Sequence, residues 1–133
     1  MAEGATIFLA KAQESLAGAA SEYINATYNN CANRCYYASF QAAVAALMRD
    51  GIQTNRDDGE WAHAFVQSQF SGVLIGRRKR YCADFRDTLQ NNMILRRRAD
   101  YQEQYISEIQ AERSLQRTEI FVGAIQTQGG ETR

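Results

Sequence analysis

Three features of the sequence predict an all-α fold, an antiparallel up-down bundle of four to five helices. The 133 residues contain no proline, which loop-rich and sandwich folds normally use to set their turns. Alanine and glutamine, both good helix formers, are frequent. Apolar side chains recur at spacings of three and four over long stretches with short connections between them, the pattern of amphipathic helices packed side by side. A chain of this size builds one core, so residues 1–127 are expected to form a single domain and 128–133 a disordered tail.

The first helix is expected from about Thr6, as N-cap, to Tyr28, with Leu9, Ala12, Leu16, Ala19 and Tyr23 on its apolar stripe. The second runs from about Asn30 to Asp50 and stops at Gly51. It carries two stripes, Cys31, Cys35, Ala38, Ala42, Ala45 and Tyr37, Phe40, Val44, Leu47. So wide an apolar face marks a central helix covered on more than one side. Residues 51–59 read as a loop, and Asp57 or Asp58 as the cap of a third helix from Glu60 to Phe70. Gly72 and Gly76 bracket a buried connection, Val73-Leu74-Ile75. A fourth helix is expected over Tyr81 to Leu95, with Cys82, Phe85, Leu89 and Met93 inward, and a last one over Ala99 to Gln126, beginning with Tyr101, Tyr105 and Ile109 as its stripe.

The formal net charge of +0 hides an asymmetry. Residues 77–98 hold eight basic and two acidic residues, whereas the flanking segments are each net acidic. Nearly all the basic residues are arginine, whose planar fork suits phosphate. The cluster Arg77, Arg78, Lys79, Arg80, Arg86, Arg96, Arg97 and Arg98 is a candidate track for a nucleic-acid backbone, with Tyr81 and Tyr101 as rings for base stacking. The plainer reading of such a run is a solvated surface, with Asp84 and Asp87 pairing within the helix.

No apolar run approaches the ~20 residues that span a bilayer, and Met1 to Thr6 has no basic leader region. The expectation is a cytoplasmic protein without a membrane partner, and three reduced cysteines, Cys31, Cys35 and Cys82. Cys31 and Cys35 are spaced for a shared zinc ion, but no second ligand pair is evident, so no metal and no cofactor is expected. There is no Gly-rich phosphate loop, serine elbow or carboxylate pair.

Three local patterns occur in order. Ala10-Lys11-Ala12-Gln13-Glu14-Ser15-Leu16 opens the chain, Asn33-Arg34-Cys35-Tyr36-Tyr37-Ala38-Ser39-Phe40-Gln41-Ala42-Ala43 follows on the second helix, and Arg96-Arg97-Arg98-Ala99-Asp100-Tyr101 closes the series. They resemble the HEPN family of small helical proteins over about residues 7–125. The resemblance implies an HEPN-like bundle that forms a homodimer. It also implies an RNA- or nucleotide-associated role, either as the partner of a nucleotidyltransferase, as a metal-independent endoribonuclease toxin of a toxin-antitoxin module, or as a binding module without catalysis. A protein–protein adaptor is a further alternative.

Metal-independent RNA cleavage needs a base, an acid and a cation. HEPN nucleases resemble one another in an Arg-x(4–6)-His motif. Arg96 matches its arginine, but Tyr101, then Gln102 and Glu103, stand where the histidine belongs. Tyrosine, with a pKa near ~10, is a poor base at neutral pH. The one histidine, His63, lies on another element, where an ordinary partly buried or surface histidine is the plainer reading. Binding is therefore favoured over catalysis, with His63, Arg96 and Tyr101 as the catalytic candidates that remain. For RNA or nucleotide binding the candidates are Arg34, Tyr37, Arg77, Arg78, Arg80, Arg96, Arg98, Asp100 and Tyr101. Arg34 on a largely apolar helix needs a counter-ion or a groove. An Arg34–Asp100 pair, joining the second helix to the last, would serve either a structural or a binding role.

Overall fold

The computed structural model describes residues 2–131. Five α-helices form among them, and no strand: α1 Ala2–Ile24, α2 Tyr28–Arg49, α3 His63–Gln69, α4 Phe85–Tyr101 and α5 Glu108–Glu131. A wider π-helical segment, Phe70–Arg77, continues α3. No helix among the described residues is long and apolar enough to cross a membrane.

α2 is the central helix, as its two apolar stripes predict. Ala38, Ala42, Ala43, Val44, Ala45, Ala46 and Leu47 are buried, and these mostly small side chains let α1, α4 and α5 approach closely. α1 runs antiparallel to α2, with Ser15 bonded to Gln41 and Gly18 beside Arg34. α4 is also antiparallel to α2, since Asn92 reaches Cys35 and Ser39 whereas Asp100 reaches Asn33. α5 returns parallel to α2, pairing Cys31 with Ala111 and Arg49 with Ile125. α3 and the π segment turn Val66, Phe70, Leu74 and Ile75 onto the same core as Phe121 and Val122.

Several boundaries differ from those expected, each for a local reason. α1 begins at Ala2, so Thr6 lies inside it and is not its cap. The preceding Ala and Glu are good helix formers, and Glu3 suits the positive end of the helix dipole. α1 stops at Ile24, before Tyr28, in a Schellman turn in which Thr27 N–H donates to Glu22 O (2.9 Å) and Ala26 N–H to Tyr23 O (3.0 Å). The left-handed position is held by Ala26 at φ 63°, so the glycine that usually marks such a stop is missing. Gly51, at φ 82°, does close α2 in the same motif, with Ile52 N–H donating to Leu47 O.

Asp58 does not cap α3. Its carboxylate takes Glu60 N–H and the Arg56 guanidinium, and the helix starts three residues later at His63. α4 begins at Phe85, leaving Cys82 exposed ahead of it, and it runs through the expected boundary to Tyr101. The last helix starts at Glu108 rather than Ala99. Ser107 and Gln110 form a capping box: Gln110 N–H donates to Ser107 Oγ (3.1 Å) and Ser107 N–H to Gln110 Oε1 (2.9 Å). Tyr101, Tyr105 and Ile109, expected as an inward stripe, are instead exposed around this break. The expected tail from Gln128 begins inside α5, which continues to Glu131, and residues 132–133 lie outside the described residues.

A buried polar hub ties three helices together. Asn92 is fully buried on α4. Its amide nitrogen donates to Cys35 O, Ser39 Oγ and Thr118 Oγ1, and its oxygen accepts from Ser114 Oγ (3.0 Å) and Arg117 Nε (2.8 Å). Cys31 and Cys35 lie buried beside it. A hydrogen bond with the Cys35 thiol, reinforced by burial, pushes the Cys31 thiol far up. These are packing residues. Among the described residues no group of three or more His, Cys, Asp or Glu side chains is placed to hold a metal ion.

Candidate functional site

α1 and α4 flank α2 but do not cover it entirely. Asn30, Asn33, Arg34, Tyr37 and Gln41 share one helical face by their spacing. With Ser15 of α1 they line a polar groove of about 400 Å³. Arg34 is exposed in it and has no hydrogen bond or ion pair among the described residues. The Arg34 stem passes α1 where Gly18 leaves space, a Cβ there falling 3.8 Å from Arg34 Cδ. Glu22 is held mainly by Thr27 and Asn30, whose hydrogen bonds keep its carboxyl below the usual range, and Arg34 adds a smaller pull.

The expected Arg34–Asp100 pair does not form. Asp100 belongs to the end of α4, not to the last helix, and it faces Arg96 one turn earlier. Its carboxylate accepts from Asn33 Nδ2 (3.0 and 3.2 Å) and pairs with Arg96 Nε at 3.5 Å. The neighbouring position on α2 therefore makes the cross-helix contact that was expected of Arg34.

Arg96, next to the cleft, is more enclosed, with about a fifth of its side chain exposed. Its guanidinium carbon lies 5.2 Å from the Tyr36 ring centroid and 5.6 Å from that of Tyr37. Its Nη2 donates a long bond, 3.4 Å, to the Tyr37 hydroxyl. A guanidinium offers five donors. Here Nε has only the distant Asp100 carboxylate, and no strong acceptor takes the rest. Arg34 thus opens onto the groove, whereas Arg96 does not line it and reaches it through the hydroxyl of Tyr37, which does.

His63, the first residue of α3, closes one end of this cluster. Its ring stacks on Phe40 (4.5 Å) and Tyr36 (5.4 Å), and its Nδ1 shares a short hydrogen bond with the Tyr36 hydroxyl. Burial, and next the Arg96 charge, hold its pKa below the ordinary 6.5, so the imidazole is neutral at pH 7. The half-buried setting agrees with the plainer reading of this residue. Its placement against the same tyrosine ring as Arg96 could not be read from the chain, where 32 positions separate them.

The arginine run is elsewhere. Arg78 and Arg80 both bond to the single carboxylate of Asp50, at 2.9 and 3.1 Å, just past the C-terminus of α2. Sixteen helical positions from Arg34 to Asp50 span about 24 Å at 1.5 Å per residue. Arg77, Arg78 and Arg80 are thus not part of the cleft, and two of them are committed to an internal partner. Arg98, on α4, is half-buried with Nε lacking a hydrogen bond, and Tyr101 is 74% exposed at the end of the helix. Of the three catalytic candidates, His63 and Arg96 both lie against the Tyr36 ring and Tyr101 stands apart.

Sequence reasoning overlooked Ser15, Asn30, Asn33 and Gln41 as cleft residues. The signal for two of them was present, because Asn33 and Gln41 share Tyr37's face at spacings of four. Tyr36 looked like part of the signature but carried no assigned role, although its buried hydroxyl and ring join His63 to Arg96. No family model matches the chain, and no curated protein matches it significantly.

Proposed function

We propose that the chain is a HEPN-type RNA- or nucleotide-binding module, working in the cytoplasm, whose α2 cleft takes a phosphate group. The observation that carries this reading is Arg34, exposed and without a hydrogen bond or ion pair in a polar groove, with Arg96 bonded to the hydroxyl of Tyr37, which lines the same groove. Phosphate oxygens are the acceptors that guanidinium forks match best. Tyr37, half-buried in the groove, offers a ring edge and a hydroxyl to a sugar or base. The resemblance adds a homodimer and a nucleotidyltransferase-type partner protein to this proposal.

Fluorescence anisotropy with labelled single-stranded RNA at low and high salt tests it. Binding at low salt that weakens as salt rises is expected, with a shallow slope of about one to two counterions because few cations converge on the cleft. Absence of binding at low salt would remove the RNA reading.

One observation favours a second reading, a metal-independent endoribonuclease: a neutral imidazole beside a guanidinium supplies a base and a charge-stabilising group. RNA that stays intact with the purified protein, beside an active control nuclease, would end it; fragments with cyclic phosphate ends would support it.

A further inference from the structure

The chain's one histidine lies next to the cleft rather than in it, on the Tyr36 ring that Arg96 also contacts, and the charges near it give the proposed binding site a means of regulation. From α2, His63 meets the Tyr36 hydroxyl and the rings of Tyr36 and Phe40, with the Tyr37 phenol next to Tyr36. From α4, Arg96 lies 5.2 Å from the centroid of the same Tyr36 ring and is itself paired with Asp100 at 3.5 Å. α3 has no other ionisable residue, the π segment has none before Arg77, and Glu60 precedes His63 in an exposed stretch of loop. The charge that the packed elements turn toward the imidazole is therefore a cation.

We propose, resting on the binding reading above, that ligand binding in the α2 cleft is linked to proton uptake by His63: an anion bound beside Tyr37 offsets the Arg96 guanidinium and lets the imidazole that shares the Tyr36 ring with it become charged. Protonation makes both ring nitrogens donors, so the Tyr36 hydroxyl must turn to accept from Nδ1. The second cation then lies beside the first, and an anion stabilises the two together more than either alone. By linkage, the ligand raises the His63 pKa, and proton binding tightens the ligand by the same factor. Affinity therefore rises as pH falls through the interval between the free and the ligand-bound pKa. In the free protein the sign is opposite for stability. The depressed pKa contributes stability above about 6.5 that is lost as pH falls through the lower folded value.

A single histidine makes the test direct. The probe is a uridine dinucleotide, whose one phosphodiester keeps its charge across the range in which histidine titrates, about pH 5 to 8. The His63 Cε1–H resonance of the untagged chain is followed against pH, with and without saturating dinucleotide. The expected result is a pKa raised by about half a unit to one unit in the complex, with dinucleotide affinity about three- to tenfold higher at the acid end. Affinity in His63→Gln, which cannot take the proton, should become independent of pH. A dinucleotide that shifts the amide signals of Asn33 and Arg34 but leaves the His63 titration in place would overturn the linkage and leave the binding reading standing. A dinucleotide that shifts nothing would overturn both. The wild-type titration decides the matter even if the variant fails to fold.

Discussion

Asn92→Ala is expected to destabilise the protein by about 3–5 kcal/mol, a large part of the 5–15 kcal/mol by which a domain of this kind is held together. The cost has identifiable parts. Asn92 is fully buried and its oxygen accepts both the Ser114 hydroxyl and Arg117 Nε. Without it, a buried hydroxyl and a half-buried guanidinium lose their acceptor together. Arg117 is already strained in this respect: burial lowers its pKa, and its Nη2 has no hydrogen bond. Ser39 and Thr118 keep their own donations to Tyr36 O and Ser114 O, so they suffer less. The truncation also opens a void where α2, α4 and α5 meet. Urea denaturation measures the effect, with Asn91→Ala on the exposed face as a control expected within about 0.5 kcal/mol of wild type. A loss under about 1 kcal/mol for Asn92→Ala would mean that water or a rearranged hub replaces the amide.

Arg96→Gln is expected to weaken RNA or dinucleotide binding by about tenfold or more, equivalent to about 1.4 kcal/mol. Arg96 is held over two tyrosine rings with little freedom left, so its donors reach an anion with little further ordering. Glutamine keeps a polar side chain but removes the charge and the fork. Arg34→Gln should cost somewhat less, since Arg34 is exposed and must be ordered by the ligand. Arg78→Gln and Arg80→Gln should change affinity by less than about twofold, because each acts far from the cleft and is already bonded to Asp50. Equal losses for all four variants would point to a diffuse electrostatic surface rather than a built site.

These contrasts mark where the sequence was legible. The spacing of small and apolar residues along α2 identified the central helix and its wide buried face, because that pattern is fixed by local periodicity alone. Gly51 announced the end of α2 for the same reason. The end of α1 was hidden, because Ala26 takes a left-handed conformation that alanine seldom marks. The break between α4 and α5 was legible in principle in Ser107-Glu108-Ile109-Gln110, but the apolar spacing of Tyr101, Tyr105 and Ile109 imitated a continuous stripe. That one displaced boundary moved Asp100 from the last helix to α4 and changed its partner from Arg34 to Arg96 and Asn33. The arginine cluster is one block in the chain but two places in the fold, since its ends attach to opposite halves of α2. Spacings of three from Leu89 and from Leu95 do put Asn92 on their buried face, but its polar amide masked that place and apolar Met93 stood in the expected stripe.

The amide shifts of the isotopically labelled protein on addition of the uridine dinucleotide test the central claim most directly. The account predicts changes concentrated on Asn30, Asn33, Arg34, Tyr37 and Gln41 of α2 and on Arg96 and Asp100 of α4, with residues 77–80 unmoved. Changes centred on residues 77–80, or spread over the outer face of α5, would contradict it.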